Sequence, residues 1–303
     1  MSRVARWPLA QGIALTLALG AASGAAARPP APLPEMALPG AGDRILVVAP
    51  HPDDETLCCG GYLQRAVAAG AAVAVVWVTA GDSFEIDAII AERTLRPKGR
   101  GLEKLGARRI AEARAAADLL GVPRDHQFEL GYPDRGLTAL LAGDGNSVQR
   151  STYTGASAVP YPEALSPGSI YTGNNLRRDL ARVISTFAPT VVLVAAPQDL
   201  HADHRSSGAL TRELLPQAAP QAKLYYWIVH AGLKWPWPHG LHRLHALRPP
   251  ARAVQLPWQQ LPLDEATQLR KLQALRQHRS QREVMGWFLN SFVRSNELYA
   301  PAP

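Results

Sequence analysis

The sequence is poor in cysteine: two in 303 residues, adjacent at Cys58 and Cys59. Neighbouring residues on a helix point in different directions and rarely form a disulfide. No disulfide framework is therefore expected, and the pair reads as small buried residues packing under a strand. No Gly-x-Ser-x-Gly elbow follows any predicted strand, which leaves a serine hydrolase with little support. The basic residues do not form a stripe interleaved with aromatics. Arg93, Arg96, Lys98, Arg100, Lys104, Arg108 and Arg109 cluster, but only Phe84 lies near them. Nucleic acid is not an expected partner, and the cluster reads as a solvated loop and helix face able to attract an anionic substrate or envelope polymer. No internal repeat and no convincing interior linker divides the chain.

The N-terminus carries a distinct pattern. Arg3 and Arg6 form a basic start, residues 8–19 are largely apolar, and Ala25-Ala26-Ala27 fits a small-residue cleavage site before Arg28. The apolar core at 12–19 is too short to span a bilayer comfortably, and no lipid-bearing cysteine follows it. The expectation is a signal peptide over 1–27, export to the periplasm or medium, and no stable membrane anchor after cleavage. Without Arg3 and Arg6 the formal charge falls from +7 to +5. A proline- and alanine-rich leader over 28–42 then precedes a single domain over 43–303, long enough for one large core.

Within that domain the apolar runs at 44–49, 72–79 and 190–195 read as buried strands, with further strands at 127–130 and 224–229. Helices are predicted over 55–69, 102–120 (ending at Gly121), 174–187, from after Arg205 to about 215, and 264–279, with another at 86–93. Nearly continuous apolar strands alternating with helices define an α/β fold. The expected form is one Rossmann-like domain, a mostly parallel sheet with helices on both faces and the active site at the carboxyl ends of the strands. Residues 138–171 and 235–250 read as long irregular segments.

Three strand ends carry polar clusters. The first is Ala49-Pro50-His51-Pro52-Asp53-Asp54-Glu55, the second Thr79-Ala80-Gly81-Asp82, the third His201-Ala202-Asp203-His204. Three carboxylates within a few residues of one imidazole repel each other unless a cation sits among them, although an acidic helix N-terminus is the plainer alternative. Convergence of the clusters on one rim favours a metal. His51 and Asp54 with one histidine of the third cluster would hold it, and Asp53 would take a proton from a metal-activated water. The remaining histidine would donate to a developing oxyanion, with Asp203 holding its ring. Trp235 and Trp237 could stack on a sugar or simply pack, His230 could face the rim, and His239, His242 and His245 could form a second metal site.

The pair Ala-Pro-His-Pro-Asp-Asp-Glu (49–55) and His-Ala-Asp-His (201–204) resembles the signature of the PIG-L/LmbE-like de-N-acetylases. The resemblance implies His51, Asp54 and His204 as zinc ligands, although iron or cobalt suits the same donors. It also implies Asp53 as general base, His201 as stabiliser of the tetrahedral intermediate, and Asp203 as its orienting partner. Asp134, in Gly-Tyr-Pro-Asp (131–134), and Arg109 would contact the substrate. The implied reaction is removal of an N-acyl group, chiefly acetyl, from an amino sugar or glycoconjugate, small or polymeric. A non-catalytic glycan-binding envelope protein on the same fold is the alternative. Against the family pattern, Ala-Pro-His-Pro replaces Ala-His-Pro and Ala202 replaces a common proline, and neither departure removes a ligand.

Overall fold

The sheet is built outward from β1 (Arg44–Ala49), whose six residues are apolar after the first and buried on both faces. In the computed structural model, which describes residues 32–83 and 99–303, β1 pairs in parallel with β2 (Ala72–Thr79) on one side and β4 (Val191–Ala195) on the other. Beyond β2 lies β3 (Gln127–Tyr132), and beyond β4 lies β5 (Lys223–Trp227), both parallel. β6 (Gln259–Pro262) and β7 (Asn296–Pro301) complete a seven-stranded sheet in the order β3-β2-β1-β4-β5-β7-β6, the last two pairings antiparallel. The chain leaves β1 toward β2 on one side and returns to β4 on the other. The topological switch point of this open sheet therefore lies between β1 and β4, where such folds bind ligands.

Alternation along β1 divides the core. Ile45, Val47 and Ala49 face α1 (Asp54–Ala68), α2 (Arg100–Leu120), α6 (Glu265–Leu275) and α7 (Arg279–Asn290). Leu46 and Val48 face α3 (Leu137–Leu141), α4 (Gly173–Phe187) and α5 (Ala202–Ala218). Burial on both faces is why these strands read as unbroken apolar runs. Gly121 closes α2 at φ 88°, a left-handed conformation that favours glycine. The α/β class, the parallel sheet and the helices on both faces are as the sequence indicates.

Several elements differ from the sequence reading. The predicted 224–229 strand ends at Trp227, because the Val229 and His230 amides donate to Asp199 Oδ2 instead of the sheet (3.0 Å each). The 264–279 helix stops at Leu275, and α7 follows as a separate helix. Strand β7 carries buried polar residues that mask a strand pattern, and β6 is a short run with a single buried residue, Leu261. Glu297 is satisfied by Lys271 Nζ (2.6 Å) and the amides of Gly61 and Tyr62 (2.7 and 2.8 Å). Part of the predicted leader is packed into the fold: Met36 is buried and its N–H donates to Gln260 O at 2.9 Å. Leu33–Pro303 forms one compact unit.

The expectation of unlinked cysteines is corrected, since Cys58 and Cys59 form a disulfide inside the core beneath β1. The intervening peptide already holds their Cα atoms 3.8 Å apart, and the two sulfurs turn toward each other despite the divergence usual on a helix. The 1–27 signal, the 86–93 helix, and Arg93, Arg96 and Lys98 lie outside the described residues. No described helix is long and apolar enough to cross a membrane.

Candidate metal centre

The turn after β1 is held in an uncommon backbone shape. Asp53, at the start of α1, has φ 142° and ψ −29°, a region that costs a non-glycine residue of order 1–3 kcal/mol and persists only where its surroundings impose it. Glu55 supplies much of that constraint. Its Oε2 accepts from the Asp53 amide (3.0 Å) and from Trp77 Nε1 (2.9 Å). Its Oε1 accepts from Thr56 Oγ1 (2.5 Å) and lies 3.2 Å from His278 Nε2. The Asp53 side chain does not cap the helix, and Gln281 Nε2 donates to its Oδ2. The three crowded carboxylates thus face different partners: Glu55 fixes the turn, while Asp53 and Asp54 line a cavity of about 240 Å³.

At the inner end of that cavity, His51 Nδ1, Asp54 Oδ2 and His204 Nε2 form a triangle. Its edges are 3.3 Å (His51–Asp54), 3.2 Å (His204–Asp54) and 3.2 Å (His51–His204). Donors around a tetrahedral cation at 2.0–2.1 Å stand about 3.3–3.4 Å apart, so the three atoms occupy the face of such a polyhedron. All three side chains are buried. Each histidine has a carboxylate at its other ring nitrogen: Asp134 Oδ1 lies 3.2 Å from His51 Nε2, and Asp199 Oδ2 lies 3.2 Å from His204 Nδ1. This is the outer arrangement that fixes tautomer and ring orientation in metal-binding histidines.

The electrostatics match. Burial opposes the charged form of His204, but Asp199 and Asp54 outweigh it and push its pKa up to about 10. Burial likewise opposes ionisation of Asp54, yet His204 and His51 hold it well below the carboxylate range. Asp53 goes the other way: burial, then the Asp54 charge, push it up to about 7. The carboxylates thus draw a proton onto His204, and a cation at the centre of the triangle would take the place of that proton.

His201, at the N-cap of α5, lines the same cavity with its ring centroid 4.6 Å from that of His51. Its Nδ1 accepts from the Asp203 backbone N–H (3.3 Å), so the neutral ring carries its proton on Nε2. Burial, then the neighbouring His51, His204 and His230, lower its pKa to about 2 and keep it neutral. The Asp203 carboxylate does not hold this ring as the sequence suggests. It is committed to the turn after β3, accepting from the Arg135 amide (2.5 Å) and the Leu137 amide (3.2 Å), and stands 3.4 Å from His51 Nε2.

The expected substrate-binding residues are placed unevenly. Arg109 is buried, whereas the adjacent Arg108 faces outward. Its guanidinium donates to Gly81 O (2.5 Å) and Pro52 O (3.3 Å), and a Cβ on Gly81 would stand 2.4 Å from it. Asp134 is turned to His51 and to the Ser83 amide (3.2 Å) rather than standing free. Trp235 lines a neighbouring apolar cavity, and Trp237, 74% exposed, lines neither cavity. His239, His242 and His245 do not converge as ligands: the clusters with metal-binding geometry among the described residues all include His51. The irregular 138–171 segment is tied down behind the site, Tyr161 donating to Asp82 Oδ2 (2.6 Å) and Tyr171 to Gly131 O (3.2 Å).

Asp199, His278 and Gln281 surround this site and were not assigned to it from sequence, whereas His230, which could face the rim on the sequence reading, does line the cavity. Asp199 had a visible signal, an acidic residue just after β4 and two before His201. Gln281 had none, since 228 residues separate it from Asp53.

Residues 46–215 match the family described as GlcNAc-PI de-N-acetylase, PIG-L. The chain belongs to this family. It is 31% identical over 196 residues to the 1D-myo-inositol 2-acetamido-2-deoxy-alpha-D-glucopyranoside deacetylase of Segniliparus rotundus, covering 64% of this chain and 55% of that protein. The chain spans about half the length of the curated relatives it matches. Among solved structures, N,N'-diacetylchitobiose deacetylase from Pyrococcus horikoshii superposes with TM-score 0.50 at 20% identity, over 86% of this chain and 84% of that one. The zinc-inhibited form of teicoplanin deacetylase Orf2 gives TM-score 0.53 at 18% identity, over 85% and 97%. These structural likenesses show the same fold. The family match ends before β5, so His230, His278 and Gln281 lie outside it.

Proposed function

We propose that the protein is a metal-dependent hydrolase that removes an N-acyl group, acetyl in the first instance, from an amino sugar. The observation that carries this reading is the buried His51–Asp54–His204 triangle with Asp53 beside it. Two imidazoles and one carboxylate with a position left for water suit zinc, and that donor set also accepts iron or cobalt. When bound there, the cation lowers the pKa of a water and polarises an amide carbonyl.

The chain's own residues do the rest. Asp53 takes the proton from the attacking water as the water oxygen bonds to the carbonyl carbon. The His201 Nε2–H donates to the carbonyl oxygen as it gains charge. Asp53 then returns the proton to the amine nitrogen as the C–N bond breaks, leaving a carboxylate and a free amino sugar. Ser83, Arg109 and Arg135 line the polar side of the cavity, where sugar hydroxyls fit. The mature protein is placed outside the cytoplasm, a reading supported by the basic, apolar and small-residue order of residues 1–27.

The test is a pair of variants assayed for bound metal and for amine release from N-acetylglucosamine derivatives. Asp53→Ala retains metal and loses turnover, whereas His204→Ala loses both. Metal loss of equal size in the two would refute this division of roles, and wild-type turnover by Asp53→Ala would remove the base.

A further inference from the structure

A second cavity, of about 400 Å³, opens beside the metal centre and shares His201, His230, Met285 and Phe288 with it. Apart from His201, His230 and His239 its side chains are apolar: Leu200, Leu233, Trp235, Met285, Trp287 and Phe288. The Trp235 indole N–H is already spent on Arg248 O at 2.9 Å, so that ring offers an apolar face. At the mouth Leu233 is 95% exposed and Trp287 54% exposed, large side chains in open solvent on the rim of an active site. The polar residues Ser83, Arg109, Asp134 and Arg135 line only the metal cavity.

The site therefore has two sides joined at His201. A sugar carries a hydroxyl on most of its carbons and belongs with the polar residues. An acetyl group presents a single methyl, which does not require a 400 Å³ aromatic groove. We propose that the acyl group removed is an alkyl chain longer than acetyl, lying in this groove with its carbonyl at His201 and its far end passing between Leu233 and Trp287. The inference rests on the amidase reading above and narrows its substrate to N-alkanoyl amino sugars. It also assigns a role to residues 230–239 and 285–288, all outside the family match.

The test measures amine release by the metal-loaded full chain from N-acetyl-, N-butyryl-, N-hexanoyl- and N-octanoylglucosamine, and from the octyl glycoside of N-acetylglucosamine. Burial of a methylene at about 0.8 kcal/mol corresponds to a rise in kcat/KM of up to about fourfold per methylene until the groove is filled. Leu233→Asp, at a solvent-exposed position that folding does not depend on, lowers the octanoyl-to-acetyl ratio of kcat/KM. Turnover of the N-acetyl substrate with a flat or falling series overturns the inference and leaves the amidase standing. A gain on the octyl glycoside without a gain along the acyl series gives the groove to the aglycone and overturns it equally. No amine from any substrate overturns the amidase reading and this inference with it.

Discussion

Asp199 is a carboxylate whose replacement separates metal affinity from metal ligation. It is fully buried, and both of its oxygens are in use. Oδ1 accepts from the His201 amide (2.8 Å), while Oδ2 accepts from the Val229 and His230 amides (3.0 Å each) and stands 3.2 Å from His204 Nδ1. In Asp199→Asn, one of the two oxygens becomes an NH₂ facing an N–H donor whichever way the amide is turned. A buried donor left without an acceptor costs about 1–3 kcal/mol, and the charge opposite His204 is lost as well. Removing the outer partner of a metal-binding histidine typically weakens binding 10–100-fold, about 1.4–2.7 kcal/mol. Zinc affinity measured by competition with a chromogenic chelator should fall by that factor, and the metal-free melting temperature by a few degrees. Asp199→Asn should still bind stoichiometric metal, because no ligand has been removed. Wild-type zinc affinity in this variant would refute the argument that Asp199 governs the His204 ligand.

Two further perturbations probe the site and its frame. Gln281→Leu withdraws the donor from Asp53 Oδ2, a charged hydrogen bond worth about 1.5–3 kcal/mol, and should lower kcat/KM about ten- to hundredfold at unchanged metal content; unchanged kcat/KM would show that Gln281 does not position the base. Glu129 is buried beneath the 138–171 segment with Arg114 Nη2 3.8 Å from Oε2, and burial pushes its pKa up to about 8. Between about pH 4.5 and 8 the native state holds a proton that the unfolded chain has released, so stability falls as pH rises, by up to about 1.4 kcal/mol per pH unit. Urea unfolding at pH 5 and pH 8 should show a smaller loss in Glu129→Gln than in wild type, and equal losses would assign the slope elsewhere.

The parts of the fold that could be read in advance share a physical cause. β1 and β2 are buried on both faces, so their apolar runs mark them to within a residue. Gly121 ends α2 where the sequence places a stop. The C-terminal third is different: Gln281, Asn296 and Glu297 are buried and their polarity hides α7 and β7, while β6, Gln-Gln-Leu-Pro, has one buried residue and too little apolar pattern to read. These buried polar residues, with Lys271 and His278, each have a partner far along the chain, such as Lys271 Nζ on Leu57 O at 2.9 Å, although His278 Nδ1 and Gln281 Oε1 remain unpaired among the described residues. The proposed metal centre was legible because two strand ends carry its candidate ligands in short motifs. The orientation of its parts was not, because Asp203 turned to the β3 loop and Asp199 took the place beside His204.

The proposed ligands and the proposed base are positioned by different parts of the fold. The proposed ligands come from the turn after β1 and the first turns of the helices that follow β1 and β4, the two strands flanking the switch point, so sheet pairing itself sets the His51–His204 separation. The base is set differently: Asp53 sits on a strained turn, pinned by Glu55 from its own helix and by Gln281 from α7. Segment α7 is kinked at Met285 (φ −126°, ψ 25°), with Gln281, against the proposed base, before the kink and Phe288, in the apolar groove, after it. Met285 lines both cavities at that kink, so a chain seated in the groove would press on the hinge between the two halves of α7 and, through Gln281, on Asp53, the proposed base. Chain length should accordingly raise kcat as well as lower KM, whereas a groove that only adds binding would lower KM alone.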